Sequence, residues 1–499
     1  MAEGKYKKLL SNTAIYGVGT FASKILVFLL TRLYTECLTT EQFGTADLIT
    51  NTANLLIPFA AAGVCEAIFR FALDSKEDKR SVLSTGFFLI CITSAVFVAV
   101  AAVCGALGVF VDYLWLVAIY VLMSNFHSML ALYIRALDRT KLYALQGIMN
   151  TVLTISFNLL FLVILPSGNF FDGVNGYVLS VVIADAVMGL FLLIYARLYR
   201  DIRPRAFDGN LAKRMLKYSI PLVPTTVFWW VTNVSDRFMV TYFCSEAANG
   251  IYTAAYKIPT LLILITGVFS EAWQFSAVKE SESDDRAEFY TNVFGGFRAV
   301  IFISGAFIIA FSQIIAKILY AADFYTAWNY IPVLVGSSIF SSFVTFLSSI
   351  YMVKKKSVKS FVTAMVGALV NITLNFALIP NSLELFGLVI PCAGWGAQGA
   401  AIATMISYAT VFVIRAVDTK RLMSFRLGAL SLALNSAVIA VQIVTMLFVD
   451  SILILAVCQA VCVAAIVAVN AKTLLFALRS ILNALRGRKK VTKKDNIAQ

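Results

Sequence analysis

The stretches LLTRLY (Leu29–Tyr34) and VSDRFMVTY (Val234–Tyr242) each set one arginine near the end of an apolar run, and Arg237 follows Arg32 by 205 residues (237 − 32). The same interval separates Glu66 in VCEAIF from Glu271 in FSEAWQF (271 − 66). Each glutamate sits in a segment that begins just after a glycine, Gly44 or Gly250, and carries a mid-length proline, Pro58 or Pro259. Further on, Asn158 in TISFNLL answers Asn375 in NITLNFA, and Gly173 and Gly176 in GVNGYVLS answer Gly396 and Gly399 in GAQGAAIA. These offsets, 217 (375 − 158) and 223 (396 − 173), grow along the chain as loop insertions in a second copy require. The chain therefore reads as an internal duplication.

What is duplicated follows from composition. Of 499 residues, 60% are apolar and 14% charged, against roughly 45–50% and about 25% in soluble domains. No soluble core accommodates that excess. Apolar segments long enough for a hydrocarbon layer of about 30 Å recur at 11–36, 44–71, 82–108, 112–136, 143–165, 176–198, 217–243, 250–275, 291–314, 328–352, 360–380, 393–416, 427–448 and 452–475. The runs are continuous rather than alternating, which selects helices over a barrel. The expectation is an all-α integral membrane protein of about fourteen spans: a six-helix lobe over 1–205, a second over 206–420, two further helices over 421–475, and a basic tail over 476–499. Six is even, so both copies start from the same face and form parallel repeats about an axis along the membrane normal.

The net charge of +14 has a topological reading. Lys76, Lys79, Arg80, Arg139, Lys141, Arg200, Arg203, Arg205, Lys213, Arg214, Lys279, Arg286, Lys354 to Lys356, Lys420 and Arg421 fall on one side with both termini, and the other side holds almost nothing but Lys317. Positive loops stay cytoplasmic, so both ends are expected there. That accounts for the charge without nucleic acid. The tail from Phe476 to Lys494 is basic and partly amphipathic, which suits the anionic leaflet. At the other end, Lys5, Lys7 and Lys8 precede an apolar run that lacks an A-x-A site, so it is read as a retained first helix.

Catalytic signals are scarce. The connectors are short, no G-x-x-x-x-G-K-[ST] loop occurs, and the eight cysteines are scattered without ligand spacing. An enzyme is not expected, nor a metal site. The lone histidine, His127, reads as a packed or hydrogen-bonded side chain.

Charges within the spans are costly, at least about 2.5–3.5 kcal/mol each near the bilayer centre. They gather on the first two helices of each copy: Lys24, Arg32, Asp47, Glu66 and Arg70, then Asp236, Arg237, Lys257 and Glu271, with Asp185 and Arg298 elsewhere. Two readings stand side by side. In one, Lys24, Arg32, Arg237, Lys257 and Arg298 line a cationic cavity for a phosphate-bearing substrate, with Asp47, Glu66, Asp236 and Glu271 pairing or binding a coupling cation, H+ or Na+. In the other, each charge is locked in an interhelical salt bridge. Pro58 and Pro259 weaken their helices at mid-membrane, which suits a gate or a packing bend. Trp229 and Trp230 lie deeper than an interfacial belt, placed for a sugar, an isoprenoid or plain packing.

The run NTAIYGVGTFASKILVFLLTRLYTECLTTEQFGTADLI (Asn12–Ile49) resembles the opening helices of polysaccharide transporters in the multidrug/oligosaccharidyl-lipid/polysaccharide exporter superfamily, and NGIYTAAYKIP (Asn249–Pro259) resembles their second-lobe counterpart. The resemblance implies a monomeric cell-membrane flippase that moves undecaprenyl-pyrophosphate-linked oligosaccharide by alternating access, for surface polysaccharide or cell-wall assembly. It implies membrane lipids and polysaccharide-assembly proteins as partners. Fourteen helices also fit the lipid II flippases, whose last two helices form a groove for the lipid tail. A cation-coupled multidrug exporter predicts twelve helices and a carboxylate-rich cavity, and a glycan polymerase or ligase predicts a large external loop.

Overall fold

The computed structural model describes residues 30–495, apart from 75–76, 109–111, 166–167, 169, 172, 280–285, 355 and 386–387. Its helices are α1 (30–37), α2 (Thr40–Ala60), α3 (Val64–Ala72), α4 (Lys79–Ala106), α5 (Leu114–Ala136), α6 (Thr140–Leu159), α7 (Gly173–Tyr195), α8 (Gly209–Ser219) and α9 (Val223–Phe243). They continue as α10 (Glu246–Lys257), α11 (Thr260–Lys279), α12 (Arg286–Ala310), α13 (Ser312–Leu319), α14 (Ile331–Val353), α15 (Ser357–Leu378), α16 (Gly396–Leu422), α17 (Ala429–Phe448) and α18 (Ile452–Asp495). One antiparallel hairpin, β1 (Ser382–Leu385) with β2 (Leu388–Pro391), occupies a stretch that the sequence reads as a plain connector.

Ten described helices are long and apolar enough to cross a membrane, and two broken pairs, α2 with α3 and α10 with α11, bring the number to twelve. The protein is therefore a multi-pass membrane protein. Of the two expected spans not among these twelve, 217–243 is helical over Val223–Phe243, and most of 11–36 lies outside the described residues. Both breaks fall beside the expected prolines. Pro58 sits in the last turn of α2, Ala62 and Gly63 take left-handed backbone with φ of 47° and 67°, and α3 departs at 57°. In the second copy, Pro259 stands in the gap between Lys257 and Thr260. A proline removes one backbone hydrogen bond and its ring crowds the preceding turn, so each break has a local cause.

Packing divides the chain into two compact units. The first holds Met1–Lys257, Ile318–Thr326 and Asn371–Ala400, and the second Ile258–Lys317, Ala327–Val370 and Ala401–Gln499. The first unit thus takes in, beyond residues 1–205, three segments of the expected second copy.

Within the first unit, α5 is the central post. One face of it packs with α3, α4 and α8 through Ile68, Leu83, Leu130, Ile134 and Met215. Another packs with α2 and α7 through Ala53, Val121, Val178 and Val182. Helix α2 begins with a capping box: the Thr39 hydroxyl accepts from the Gln42 amide, and the Gln42 side chain accepts from the Thr39 amide, both at 3.1 Å. Helix α6 loosens after Leu159 into a wider turn over Leu160–Ile164, closed by Leu165 N donating to Leu160 O at 2.9 Å.

A close helix crossing in this unit joins α2 to α10 through glycines. A Cβ on Gly44 would overlap the Glu246 carbonyl, and a Cβ on Gly250 would overlap the Thr40 carbonyl. The contact is reciprocal, because 250 − 44 and 246 − 40 both equal 206. Small residues let backbones approach this closely where hydrocarbon offers no hydrophobic drive.

In the second unit, aromatic stacking organises α11, α12 and α14: Trp273 lies on Phe346 at 4.8 Å and Phe269 on Phe297 at 4.3 Å between centroids. Arg415 of α16 is fully buried and spends its donors on Thr363 Oγ1 (2.9 Å), Val344 O (3.1 Å), Ser360 O (3.1 Å) and Ser348 Oγ. An apolar cavity of about 280 Å³ lies among α12, α14, α16 and α17, lined by Phe302, Ile339, Met405, Ile439 and Ile443. Helix α18 runs 44 residues without a break, so the basic segment after 475 continues the last span as helix.

Replacing Gly250 with Leu should force α2 and α10 apart at a cost of about 1–3 kcal/mol, read as a fall of several degrees in the thermal unfolding midpoint of detergent-solubilised protein. An unchanged midpoint would mean the close approach is dispensable.

Candidate functional site: a buried charge cluster on α2, α9 and α10

The seam that the glycines close carries polar groups in its first turns. Asn249 Nδ2 donates to Gly44 O at 3.2 Å, and the Thr45 hydroxyl donates to Glu246 Oε2 at 2.5 Å. Thr45 lies one position after the glycine contact, so its hydroxyl reaches across only because no Cβ intervenes.

One turn deeper lies the ionic core. Arg237 of α9 donates through Nη1 to Asp47 Oδ1 of α2 at 2.7 Å, with the two side chains only 16% and 9% exposed. Its guanidinium also lies over the Tyr256 ring at 4.9 Å, a cation–π contact. The neighbouring Asp236, 2% exposed, accepts from the Tyr252 hydroxyl at 2.9 Å, the Tyr256 hydroxyl at 2.8 Å and the Arg237 amide at 2.9 Å. Tyr252 and Tyr256 stand four residues apart on α10, hence on one face. Lys257 places its ammonium over the Phe43 ring at 5.9 Å, within electrostatic reach of Asp47 and Arg237. Two carboxylates thus answer two cations, and the cluster as a whole is neutral. Asp47 Oδ2 and Arg237 Nε have no hydrogen-bond partner among the described residues. The site is charge-matched but retains spare donor and acceptor capacity.

Helix α9 has a second tie to α2. Trp230 Nε1 donates to Asn51 O at 2.8 Å, and Asn51 Nδ2 donates to Asp47 O at 2.8 Å. Of the sugar, isoprenoid and packing roles open to Trp230, this bond adds a packing contact, its polar edge being spent on α2. The side chain of Trp229 lies outside the described residues.

The remaining expected site residues are dispersed. Arg32 on α1 pairs with Glu36 at 2.6 Å and donates to Tyr320 O at 2.6 Å, while Thr35 Oγ1 accepts from the Ala321 amide at 3.1 Å. It fastens α1 to the segment 318–326. Arg237 and Arg32 occupy equivalent sequence positions, yet one meets a buried carboxylate and the other a loop carbonyl. Glu66 is exposed on α3. Arg298 belongs to the second unit, where Nη1 donates to Leu427 O at 2.7 Å just before α17. Lys24 and the side chain of Glu271 lie outside the described residues. The structure therefore brings together Asp47, Asp236, Arg237 and Lys257. Tyr252, Tyr256, Asn51, Thr45 and Glu246 were not singled out from the sequence, although the four-residue spacing of the tyrosines opposite an intramembrane aspartate was available as a signal.

Seam and cluster define a class: a multi-pass helical membrane protein with ions paired in the interior of its first compact unit. Comparison then supplies the family. The model for the family described as polysaccharide biosynthesis protein matches residues 9–274, more than half of the chain, and the protein belongs to that family. A comparison with curated protein sequences returns no match. Among solved structures, the chain is similar in fold to the lipid II flippase MurJ in an inward closed conformation, with TM-score 0.65 and 15% identity over 94% of this chain and 100% of that one. It is similar to an inward-facing MATE-family multidrug resistance transporter of the MOP superfamily, with TM-score 0.58 and 15% identity over 82% of this chain and 95% of that one. It also resembles a MOP-superfamily transporter from Pyrococcus furiosus, with TM-score 0.54 and 15% identity over 82% and 95%. At such identities the likeness concerns the fold.

Breaking a buried pair by removing one partner costs about 3–5 kcal/mol, because the other charge is stranded. Asp47→Asn and Arg237→Gln are each expected to lower the unfolding midpoint sharply, while the double variant loses less than the sum. Additive losses in that double-mutant cycle would contradict the latch.

Proposed function

We propose that this protein is a flippase that carries a lipid-linked oligosaccharide with an undecaprenyl-pyrophosphate anchor across the cell membrane, for surface polysaccharide or cell-wall assembly. The observation that carries the reading is the Asp47–Arg237 latch between α2 and α9, beside the α2–α10 seam, in a chain of the polysaccharide biosynthesis family with a flippase-like fold.

Alternating access needs a gate that opens and reseals without leaving a charge alone in hydrocarbon. In the proposed cycle the seam of α2 with α9 and α10 is the gate on the external side, which follows from basic loops marking the cytoplasmic one. When it parts, Arg237 and Lys257 lose Asp47 and take the substrate's phosphate oxygens instead. Arg suits this exchange, because its planar fork binds a carboxylate and a phosphate in the same geometry. The breaks at Pro58 and Pro259 let the outer halves of the two gate helices move while the inner halves stay packed.

Fourteen spans, cytoplasmic termini, two six-helix lobes meeting at 205/206 and a monomer belong to the same proposal, with the tail after 475 on anionic lipid. A lipid II substrate is the second reading. Its support is the match to MurJ over 94% of this chain, against 82% for the multidrug transporters. No catalytic step is assigned.

In proteoliposomes, a short-chain polyprenyl-pyrophosphate disaccharide should cross only when the protein is present. Arg237→Gln and Lys257→Gln should each slow its initial rate about tenfold or more, the scale of one lost charge-assisted contact. Absence of protein-dependent crossing, or unaltered rates in both variants, would refute the reading.

A further inference from the structure

A second polar cluster lies inside the first unit, away from the gate, on α5, α6 and α7. His127, 9% exposed, stands at mid-length on α5. Its Nδ1 lies 3.0 Å from Asp185 Oδ1 of α7, and its Nε2 lies 2.7 Å from Gln146 Oε1 of α6. Asp185 Oδ1 also accepts from Asn150 Nδ2 at 3.0 Å, and Oδ2 accepts from the Ser124 hydroxyl at 2.5 Å. Three donors on one carboxylate are what a buried anion requires.

The other side of the imidazole is what makes the cluster informative. Nδ1 donates to Asp185, and Nε2 faces an amide oxygen, so this arrangement suits the doubly protonated ring. Turning the Gln146 amide over presents its NH2 to a bare Nε2 and suits the neutral ring equally well. The same side chains therefore serve both states. On protonation the Nε2 lone pair takes one proton from water, and the His–Asp pair goes from a net charge of −1 to zero.

Among the described residues, the hydrogen bonds of His127 and Asp185 reach no further carboxylate or cation. Tyr120, two turns earlier on α5, is close enough to interact electrostatically with Asp185. Helix α2 passes with its Ile57 carbonyl accepting from Asn125 and carries no titratable residue from Leu48 to Ala60. Helix α3 brings Cys65 against the Asn125 carbonyl and keeps Glu66 exposed, and α4 offers Cys91 and Cys104 beyond its charged first turn. On α6, Lys141 stands at the start and Tyr143 lies against Arg135.

We infer that His127 and Asp185 form an intramembrane proton-binding site, with Gln146 reporting its occupancy to α6. Helix α6 is the least enclosed by protein of the three helices that supply the cluster, so the fewest neighbours oppose a shift of this wall. The loaded, neutral cluster holds α6 against its neighbours. The unloaded, anionic cluster favours a packing that admits water. Coupling of this proton to substrate movement rests on the translocation reading above, whereas the site itself does not.

His127 is the only histidine in the chain, so protein labelled with 15N-histidine in nanodiscs gives a single imidazole to follow. The expected result is conversion between imidazolium and neutral patterns between about pH 5 and 9, around the ordinary histidine range. Asp185→Asn should move the midpoint down by about one unit and Gln146→Glu should move it up by a similar amount, the scale of one neighbouring charge. A signal fixed in one form across that range, or the same midpoint in both variants, overturns the site. In proteoliposomes, an imposed pH gradient should change the initial rate of the wild type and leave that of His127→Gln unchanged. An equal response in His127→Gln overturns the coupling. If the wild type moves no glycolipid at all, the translocation reading fails, and the labelled-histidine titration alone decides the proton site.

Discussion

A guanidinium and a carboxylate buried in a layer that cannot solvate them must stay together, and the α2–α9–α10 arrangement answers to that requirement. Arg237 is held by Asp47 at 2.7 Å and covered by Tyr256, and Asp236 beside it is held by two tyrosine hydroxyls. The partners come from helices nearly two hundred residues apart in sequence, so the pair is a tertiary clasp. The glycines make it reachable. With any side chain at Gly44 or Gly250 the backbones would stand further apart, and Thr45 would no longer reach Glu246.

The same constraint makes the clasp reversible. A buried ion pair contributes little net stability relative to an apolar pair of the same shape, since desolvation offsets most of the attraction. Parting it is tolerable only if each charge finds a substitute, and in the proposed cycle a substrate phosphate is that substitute, since a guanidinium binds carboxylate and phosphate oxygens alike. As proposed for the His127–Asp185 cluster, a proton plays the corresponding part there.

Twelve of the fourteen expected spans were legible because a 1.5 Å rise per residue and a hydrocarbon layer of fixed thickness leave few alternatives. The breaks were legible because Pro58 and Pro259 act locally. Gly44 and Gly250 stood out as equivalent positions, but a repeat says which residues correspond and not which of them meet. Arg32 and Arg237 show the limit most clearly: alike in sequence, they differ in partner because Tyr320 and Asp47 are supplied by distant segments. The hairpin at Ser382–Pro391 escaped notice because all four residues of β2 are exposed, leaving no alternation to read. His127 read as a hydrogen-bonded side chain, and it is one. What the sequence did not disclose was that both of its nitrogens face oxygen acceptors.

The central claim is that the α2–α10 seam must open for transport. It is tested most directly by locking it, with cysteines at Thr45 and Glu246, whose side chains already touch, in a background freed of the eight native cysteines. Oxidation should stop glycolipid movement in proteoliposomes and reduction should restore it, with neither treatment affecting the single-cysteine controls. Transport that runs at the same rate through the locked seam would contradict the account.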